Sequence, residues 1–275
     1  MPARRPPAPG ELDRERLARI RLIFSDLDET LLGPDHRIGE RSRAAIRRLM
    51  DLGVTFVVCT GRAPQASRPI VRELGGRFLV CANGAAVFDG DQLLAGRTLP
   101  APLVAEMLAF FAEREVPAYL VTPTAYFVTR RTPEVAAADA ARGYAPPLLP
   151  PGQEAQPAYK VMALAAAHLY DEVRARWGDR AHIIYHPAYL EVAPLGVTKA
   201  WGAQVITERL GVDPQEVAAI GDARNDIELV QWAGVGVAVA NADPLLLEVA
   251  DAVARDHAQD GAADLFEAIL AAREG

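Results

Sequence analysis

Short apolar runs that end abruptly in polar residues constrain this chain more than any other feature. RLIFS (21–25) runs into Asp26, VTFVVC (54–59) into Thr60-Gly61-Arg62, FLVC (78–81) into Ala82-Asn83-Gly84, and VAAI (217–220) into Gly221-Asp222. Runs so short, bounded and without polar alternation fit strands buried on both faces, as in parallel sheets. Helical segments separate them. GERSRAAIRRLMDL (39–52) places Ala45, Ile46, Leu49 and Met50 on one face and stops at Gly53. A second helix is expected over 64–74, closed by Gly75-Gly76. This strand–helix–strand–helix–strand order implies a parallel sheet with right-handed crossovers.

The rhythm breaks after residue 86. VFDGDQLLAGRTL (87–99) reads as a hairpin about Asp89-Gly90-Asp91. A helix over 101–114 follows, then strands near 118–121 and 126–129, a Pro-rich stretch, and strand, helix and strand signals at 159–165, 168–177 and 181–185. From Leu195 the first pattern returns, with helices over 198–210, 226–233 and 260–273 and strands at 217–220 and 236–239. The expected fold is α/β, a Rossmann-like parallel-sheet core (19–86 and 188–275) split by an inserted α+β cap domain (87–187), with 1–18 a flexible leader.

Composition excludes several functions. The 275 residues are 51% hydrophobic and 24% charged, enough for a substantial core and against global disorder. A net charge of −7 argues against a broad nucleic-acid surface, so an anionic ligand must meet positive charge gathered locally. The first twenty residues have no signal-peptide apolar stretch, and no run is long enough to span a membrane. Cys59 and Cys81 each end an apolar run and read as small buried hydrophobes. The expectation is a soluble cytoplasmic protein, with no nucleic-acid or membrane partner and no protein partner evident. His36, His168, His182, His186 and His257 show no ligand spacing and read as structural.

Ligands of open parallel sheets bind beyond the carboxyl ends of the strands. Those ends supply Asp26, Asp28 and Thr30; Thr60, Gly61 and Arg62; Asn83 and Gly84; and Gly221, Asp222, Asn225 and Asp226, with Lys199 near the start of the preceding helix. Carboxylates gathered there repel one another unless a cation lies among them. Oxygen donors without clustered His or Cys point to Mg²⁺ rather than zinc. Lysine and hydroxyl groups beside that cation make a place for an anion, most naturally a phosphoryl group, which an aspartate can attack. Side chains alternate along an extended segment, so Asp26, Asp28 and Thr30 share one side and Leu27 and Glu29 face the other, leaving Glu29 a bystander.

DLDETLL (26–32), CTGR (59–62), GVTKAWG (196–202) and GDARND (221–226), in this order and with a cap-sized gap, resemble the four-motif signature of the haloacid dehalogenase-like hydrolases. Order and spacing are similar to the Cof-type phosphatases with a type IIB cap, as are ANGA (82–85) and GVAVANA (236–242). The resemblance implies roles. Asp26 matches the nucleophile and a metal ligand. Asp28 matches the general acid and then base, with its main-chain carbonyl on the metal. The Leu27 N–H faces the phosphoryl oxygens. Thr60 and Gly61 bind phosphate, with Arg62, Asn83 and Gly84 at the substrate edge. Lys199 offsets charge on nucleophile and phosphoryl group. Asp222 matches a further metal ligand, Asn225 a phosphate-contacting amide and Asp226 a water-mediated metal partner. Lys160 and Arg130 are candidate cap contacts. The implied function is Mg²⁺-dependent hydrolysis of small phosphomonoesters, sugar phosphates or similar metabolites, through an aspartyl-phosphate, with the cap closing over the leaving group. The alternatives are a phosphotransferase or phosphomutase on the same core, and a non-catalytic metabolite-binding protein. The chain departs from the pattern at Glu29, where Gly is usual, at IELV after GDARND, and at Ala240 before Asn241.

Overall fold

The structure is a computed structural model that describes residues 6–274. The chain forms two compact units: one comprises the chain up to Arg62, Ser67–Leu94 and everything from Thr198, the other Ala63–Ala66 and Ala95–Val197. In chain order the elements are α1 (Arg14–Ala18), β1 (Leu22–Ser25), α2 (Glu40–Asp51), β2 (Thr55–Cys59), α3 (Pro64–Glu73), β3 (Phe78–Cys81), β4 (Ala86–Asp89) and β5 (Gln92–Gly96). Then come α4 (Ala101–Glu113), β6 (Ala118–Val121), β7 (Tyr126–Val128), α5 (Pro133–Arg142), β8 (Lys160–Leu164), α6 (Tyr170–Trp177), β9 (His182–His186) and β10 (Tyr189–Ala193). The last are α7 (Lys199–Leu210), β11 (Val217–Gly221), α8 (Ile227–Trp232), β12 (Val235–Val239), α9 (Pro244–Val249), β13 (Ala252–Ala254) and α10 (Ala262–Glu274).

The first unit is an α/β fold around an eight-stranded sheet of order β13-β12-β11-β1-β2-β3-β4-β5. β1 is central and parallel to both neighbours, with Leu22 beside Val217 and Thr55 and Ser25 beside Ile220 and Val58. All four of its residues are fully buried, as the apolar Leu22–Phe24 run requires, and Ser25 Oγ donates to Asp26 O. Phe56 lies in register with Ile23 and meets Phe266 of α10 edge-on at 5.6 Å, whereas Phe24, on the other face, meets Trp232 of α8 at 6.4 Å. Helices therefore cover both faces and leave the strand ends as the place for polar chemistry.

The second unit has a five-stranded sheet of order β7-β6-β8-β10-β9. Alternation sends Leu120, Val161, Ala163, Leu190 and Val192 into a core with Phe110 and Phe111 of α4 and Trp177 of α6. Phe110 and Trp177 pack edge-on at 5.1 Å, and each such pair contributes about 0.5–1.5 kcal/mol beyond its buried area. Lys160, on the opposite sheet face, is buried in an ion pair with Glu191 at 2.6 Å, and Arg130 Nη1 donates to the Glu115 carbonyl.

Three boundary expectations are corrected. β4, inside the expected cap, pairs antiparallel with β3, because the tight turn over Ala82–Ala85, with Gly84 at φ 99°, folds it straight back onto the core sheet. β10, assigned to the core, pairs with β8 and β9 and gives Leu190 and Val192 to the second unit's core. The leader is not loose over its described residues. Pro7 O accepts from Val253 N, Asp13 caps α1, Leu17 is buried, and Arg16 donates to Gly234 O and pairs with Asp251 at 2.6 Å. Residues 1–5 lie outside the described residues. α5, β10, α9 and β13 had no expectation as elements. α5 is an alanine-rich helix whose start is marked only by Thr132 as cap and Pro133, and β13 is three residues long.

Candidate active site

Asp26 stands at the carboxyl end of β1, with its N–H bonded to Ile220 O at 3.0 Å and its side chain almost wholly buried. The chain then turns instead of extending. Leu32 N donates to Leu27 O at 2.8 Å, closing a five-residue π-type turn over Leu27–Leu31, with Glu29 at φ 56°, ψ 13°. The shared side expected for Asp26, Asp28 and Thr30 is therefore corrected: alternation is a property of extended backbone, and a left-handed residue ends it. Thr30 Oγ1 donates to Asp222 Oδ1 at 2.7 Å, whereas the Asp28 carboxylate, about half exposed, is gripped by Arg62 through Nε at 2.8 Å and Nη2 at 2.5 Å. Glu29 is exposed and occupies a conformation that glycine adopts without strain. Glu29→Gly is expected to keep the phosphatase activity that the resemblance implies within about threefold and to change stability by less than about 1 kcal/mol. Parallel activity and melting measurements check this, and a collapse of activity would give the side chain a role it lacks here.

The second and third strand ends interlock. Asn83 N donates to Thr60 O at 3.1 Å and Ala82 N to Arg62 O at 2.9 Å. This contact uses three consecutive positive-φ residues, Ala82 (50°), Asn83 (57°) and Gly84 (99°), a strained path of the kind found at functional sites. A Cβ at Gly84 would collide with the Thr198 carbonyl, so only glycine lets this loop lie against the start of α7. Thr198 caps that helix, its hydroxyl accepting from Trp201 N, and the next residue is Lys199.

Lys199 is fully buried and donates to Asp26 Oδ1 at 2.6 Å and Asp226 Oδ1 at 2.7 Å. The other Asp226 oxygen accepts from the main-chain N–H groups of Asp222 and Ala223 at 3.3 and 3.1 Å. A Cβ at Gly221 would overlap the Asp226 carboxyl, so that glycine makes room for it. Asp26, Asp222 and Asp226 offer oxygens that all lie within 4.8 Å of one another. Burial and the neighbouring carboxylates of Asp226 and Asp222 outweigh Lys199 and push Asp26 well above the ordinary carboxylate range. Burial, then Asp226, raises Asp222 to about 6. Burial would lower Lys199, but Asp226 and Asp26 overcome it and hold the ammonium well above its usual range. Three carboxylates thus face one firmly charged ammonium.

That surplus of negative charge, carried by oxygen donors only, fits a hard divalent cation such as Mg²⁺. Among the described residues, the second oxygens of Asp26 and Asp222 accept no hydrogen bond, whereas both Asp226 oxygens are engaged. Asp26 and Asp222 are therefore the residues placed to hold such an ion. The carboxylate of Asp28 lies outside the three-aspartate group.

The raised carboxyls make stability depend on pH. Asp222 binds a proton more tightly folded than unfolded, so its neutral form favours the fold below about pH 4 and that benefit is lost as pH rises through about 6. For a shift from 3.8 to about 6 the loss is about 3 kcal/mol in the metal-free protein. A cation would relieve it. Addition of MgCl₂ is therefore expected to raise the melting temperature more at pH 7.5 than at pH 5. Differential scanning fluorimetry at the two pH values decides this, and an equal shift at both would remove the carboxyl cluster as the cause.

The structure gathers Asp26, Asp222, Asp226 and Lys199 into one buried group and joins the Thr60–Gly61–Arg62 loop to Asn83–Gly84. Asn225 Nδ2 donates to Asn83 Oδ1 at 2.9 Å, while Asn225 Oδ1 is buried without a hydrogen-bond partner. Leu27 is a buried residue whose carbonyl closes the turn. Sequence reading left out Thr30 as a partner of Asp222, and Asn241 and His257, which touch the turn from outside. For Thr30 a signal existed, a hydroxyl among the strand-end acids. For His257 there was none, because its contact is with a main-chain carbonyl 225 residues away.

A parallel sheet that gathers a buried lysine and three aspartates at its carboxyl edge is the core of an α/β enzyme built for an anionic substrate. Residues 23–266 match the family described as haloacid dehalogenase-like hydrolase, and the chain belongs to it. It is 30% identical, over 82% of its length and 86% of the relative's, to an HMP-PP phosphatase of Klebsiella pneumoniae. It is 28% identical to a 5-amino-6-(5-phospho-D-ribitylamino)uracil phosphatase of Bacillus subtilis, covering 89% of this chain and 93% of that one. The crystal structure of a haloacid dehalogenase-like hydrolase from Bacteroides thetaiotaomicron superposes with a TM-score of 0.83 at 25% identity, covering 91% of this chain and 99% of the other.

Proposed function

We propose that this hydrolase is a Mg²⁺-dependent phosphatase of small phosphomonoesters, sugar phosphates or similar metabolites, working through an aspartyl-phosphate on Asp26. The observation that carries the reading is the buried Lys199 bridging Asp26 and Asp226 with Asp222 beside them. The phosphatase names of its relatives favour the same chemistry. Asp26, Asp222 and the Asp28 main-chain carbonyl would hold Mg²⁺, which would supply the positive charge that lets a phosphoryl dianion approach a carboxylate. Lys199 orients Asp26 and offsets its charge as the Asp26 oxygen attacks phosphorus and the ester P–O bond breaks. Asp28 gives the departing alkoxide a proton. It then takes one from the water that attacks phosphorus and releases Asp26. The Arg62 fork donates to both Asp28 oxygens and so holds it as the carboxylate, and Asp28 has to turn out of the fork to carry that proton. Arg62 is then released towards the substrate edge, where Thr60, Gly61, Asn83, Gly84, Asn225 and the Leu27 N–H are assigned to the phosphoryl group. Asp226 fixes Lys199 and the Asp222 loop.

The test is phosphate release from a panel of phosphorylated metabolites with MgCl₂, using Asp26→Asn as the blank. At least one substrate is expected to turn over only with wild type. Equal release by both proteins, or by neither across the panel, would sink the reading.

A further inference from the structure

The turn that carries Asp28 is held from outside by two residues far along the chain. Asn241, just beyond β12, donates from Nδ2 to Glu29 O at 2.8 Å. Its Oδ1 accepts from His257 N at 3.0 Å, so both ends of the amide are matched, donor to carbonyl and acceptor to N–H. His257 Nδ1 lies 2.9 Å from Leu32 O. A carbonyl only accepts, so Nδ1 carries the proton in this contact. His257 is fixed by a short 3₁₀ turn after β13, where Asp256 Oδ1 accepts from Ala258 N at 2.8 Å. β12 and β13 are successive strands outward from β11, so two loops of the same sheet edge converge on the turn after β1.

The geometry places these contacts where they matter. Asp26 is fixed by β1 and Glu29 O by Asn241, which leaves Asp28 in a short span anchored at both ends. Thr30 ties the inner side of the turn to Asp222, and His257 ties its exit at Leu32. Glu29 holds a left-handed conformation that a non-glycine residue keeps only when its surroundings impose it. We propose that Asn241 and His257 are positioning residues that form a brace setting the Asp28 side chain for proton transfer to the leaving group, an inference that rests on the reading of Asp28 as acid and base. The brace acts through main-chain carbonyls and touches no reacting atom.

The test separates proton transfer from everything else by leaving group. The value of kcat/KM reports the steps up to aspartyl-phosphate formation. A nitrophenolate leaves without a proton, whereas an alkoxide needs one. Asn241→Asp keeps the acceptor for His257 N but sets an oxygen against Glu29 O. His257→Ala removes the Leu32 contact, and His257→Asn restores a donor near the Nδ1 position. Both disruptive variants are expected to lower kcat/KM for an alkyl phosphate about 10- to 100-fold while staying within about threefold for p-nitrophenyl phosphate. His257→Asn is expected to recover at least half of the loss on a logarithmic scale. Asp28→Asn, run beside them, sets the full leaving-group effect. Hydrogen–deuterium exchange on the metal-free proteins is expected to speed up at 28–32 and not in β1 or β11, which also shows that the variants are folded. Equal losses on both phosphates, or none on either, overturn the brace. Phosphate release that Asp26→Asn does not abolish overturns the phosphatase reading instead.

Discussion

Asp26→Asn is expected to abolish phosphate release and, in the same preparation, to raise the melting temperature of the metal-free protein at pH 8. The first effect follows from removing the attacking oxygen and should exceed about 10³-fold. The second follows from burial. The Asp26 carboxyl is pushed well above its ordinary range by desolvation and by Asp226 and Asp222, despite the lysine beside it. Its neutral form therefore favours the fold below the unfolded value, and that advantage is lost as pH rises through the raised folded value. Asparagine keeps the shape and carries no charge to desolvate. The variant should melt several degrees above wild type at pH 8, with the difference closing towards pH 4 and shrinking when MgCl₂ is added to wild type. Thermal melts across that pH range with and without Mg²⁺ measure it. A variant less stable than wild type at pH 8 would mean that the Lys199–Asp26 contact outweighs the charge crowding.

Lys199→Met should act in the opposite direction on stability and in the same direction on activity. The ammonium is fully buried and is shared by Asp26 and Asp226 at 2.6 and 2.7 Å. Methionine matches much of its volume but leaves two carboxylates without a counter-charge. Breaking a buried pair from one side costs about 3–5 kcal/mol, on the order of 10 °C in melting temperature for a protein of this size. The loss should be greatest at neutral pH and smaller near pH 4, where the carboxyls take up protons. Phosphate release should fall by at least about 10²-fold, since no other side chain in the buried group offsets charge on the nucleophile. Melting curves and turnover measured on one sample test both. If Asp26→Asn and Lys199→Met both lower stability at neutral pH, the Lys199–Asp26 contact and not the crowding of carboxylates dominates this group.

Much of the site was legible in the chain because its residues sit next to strand ends, and strand ends are marked by apolar runs. Asp26, Thr60, Asn83 and Asp222 each follow such a run by one or two positions, so placing the strands placed the residues. Asn241 lies equally close to β12 but had no chemistry of its own to mark it, because it works on a main-chain carbonyl. Boundaries failed where pairing partners were distant. Nothing in the Tyr-Leu-Glu-Val-Ala run of β10 says that it joins β8 and β9 rather than the parallel sheet.

Sequence alone determined the parallel core, its interruption by a second unit and the set of acids and lysine at one sheet edge, because local hydrophobic patterning decides strands and helices and their order decides crossovers. Tertiary structure decided how the acids in DLDETLL divide. A left-handed residue at Glu29 turns the chain, sends Asp28 to Arg62 and Thr30 to Asp222, and leaves Asp26 buried against Lys199. Nothing in a one-dimensional pattern encodes that turn, because its contacts reach partners from 34 to 225 residues away. The crowded charge is likewise a tertiary fact: Asp222 and Asp226 come to Asp26 only when β11 is laid beside β1.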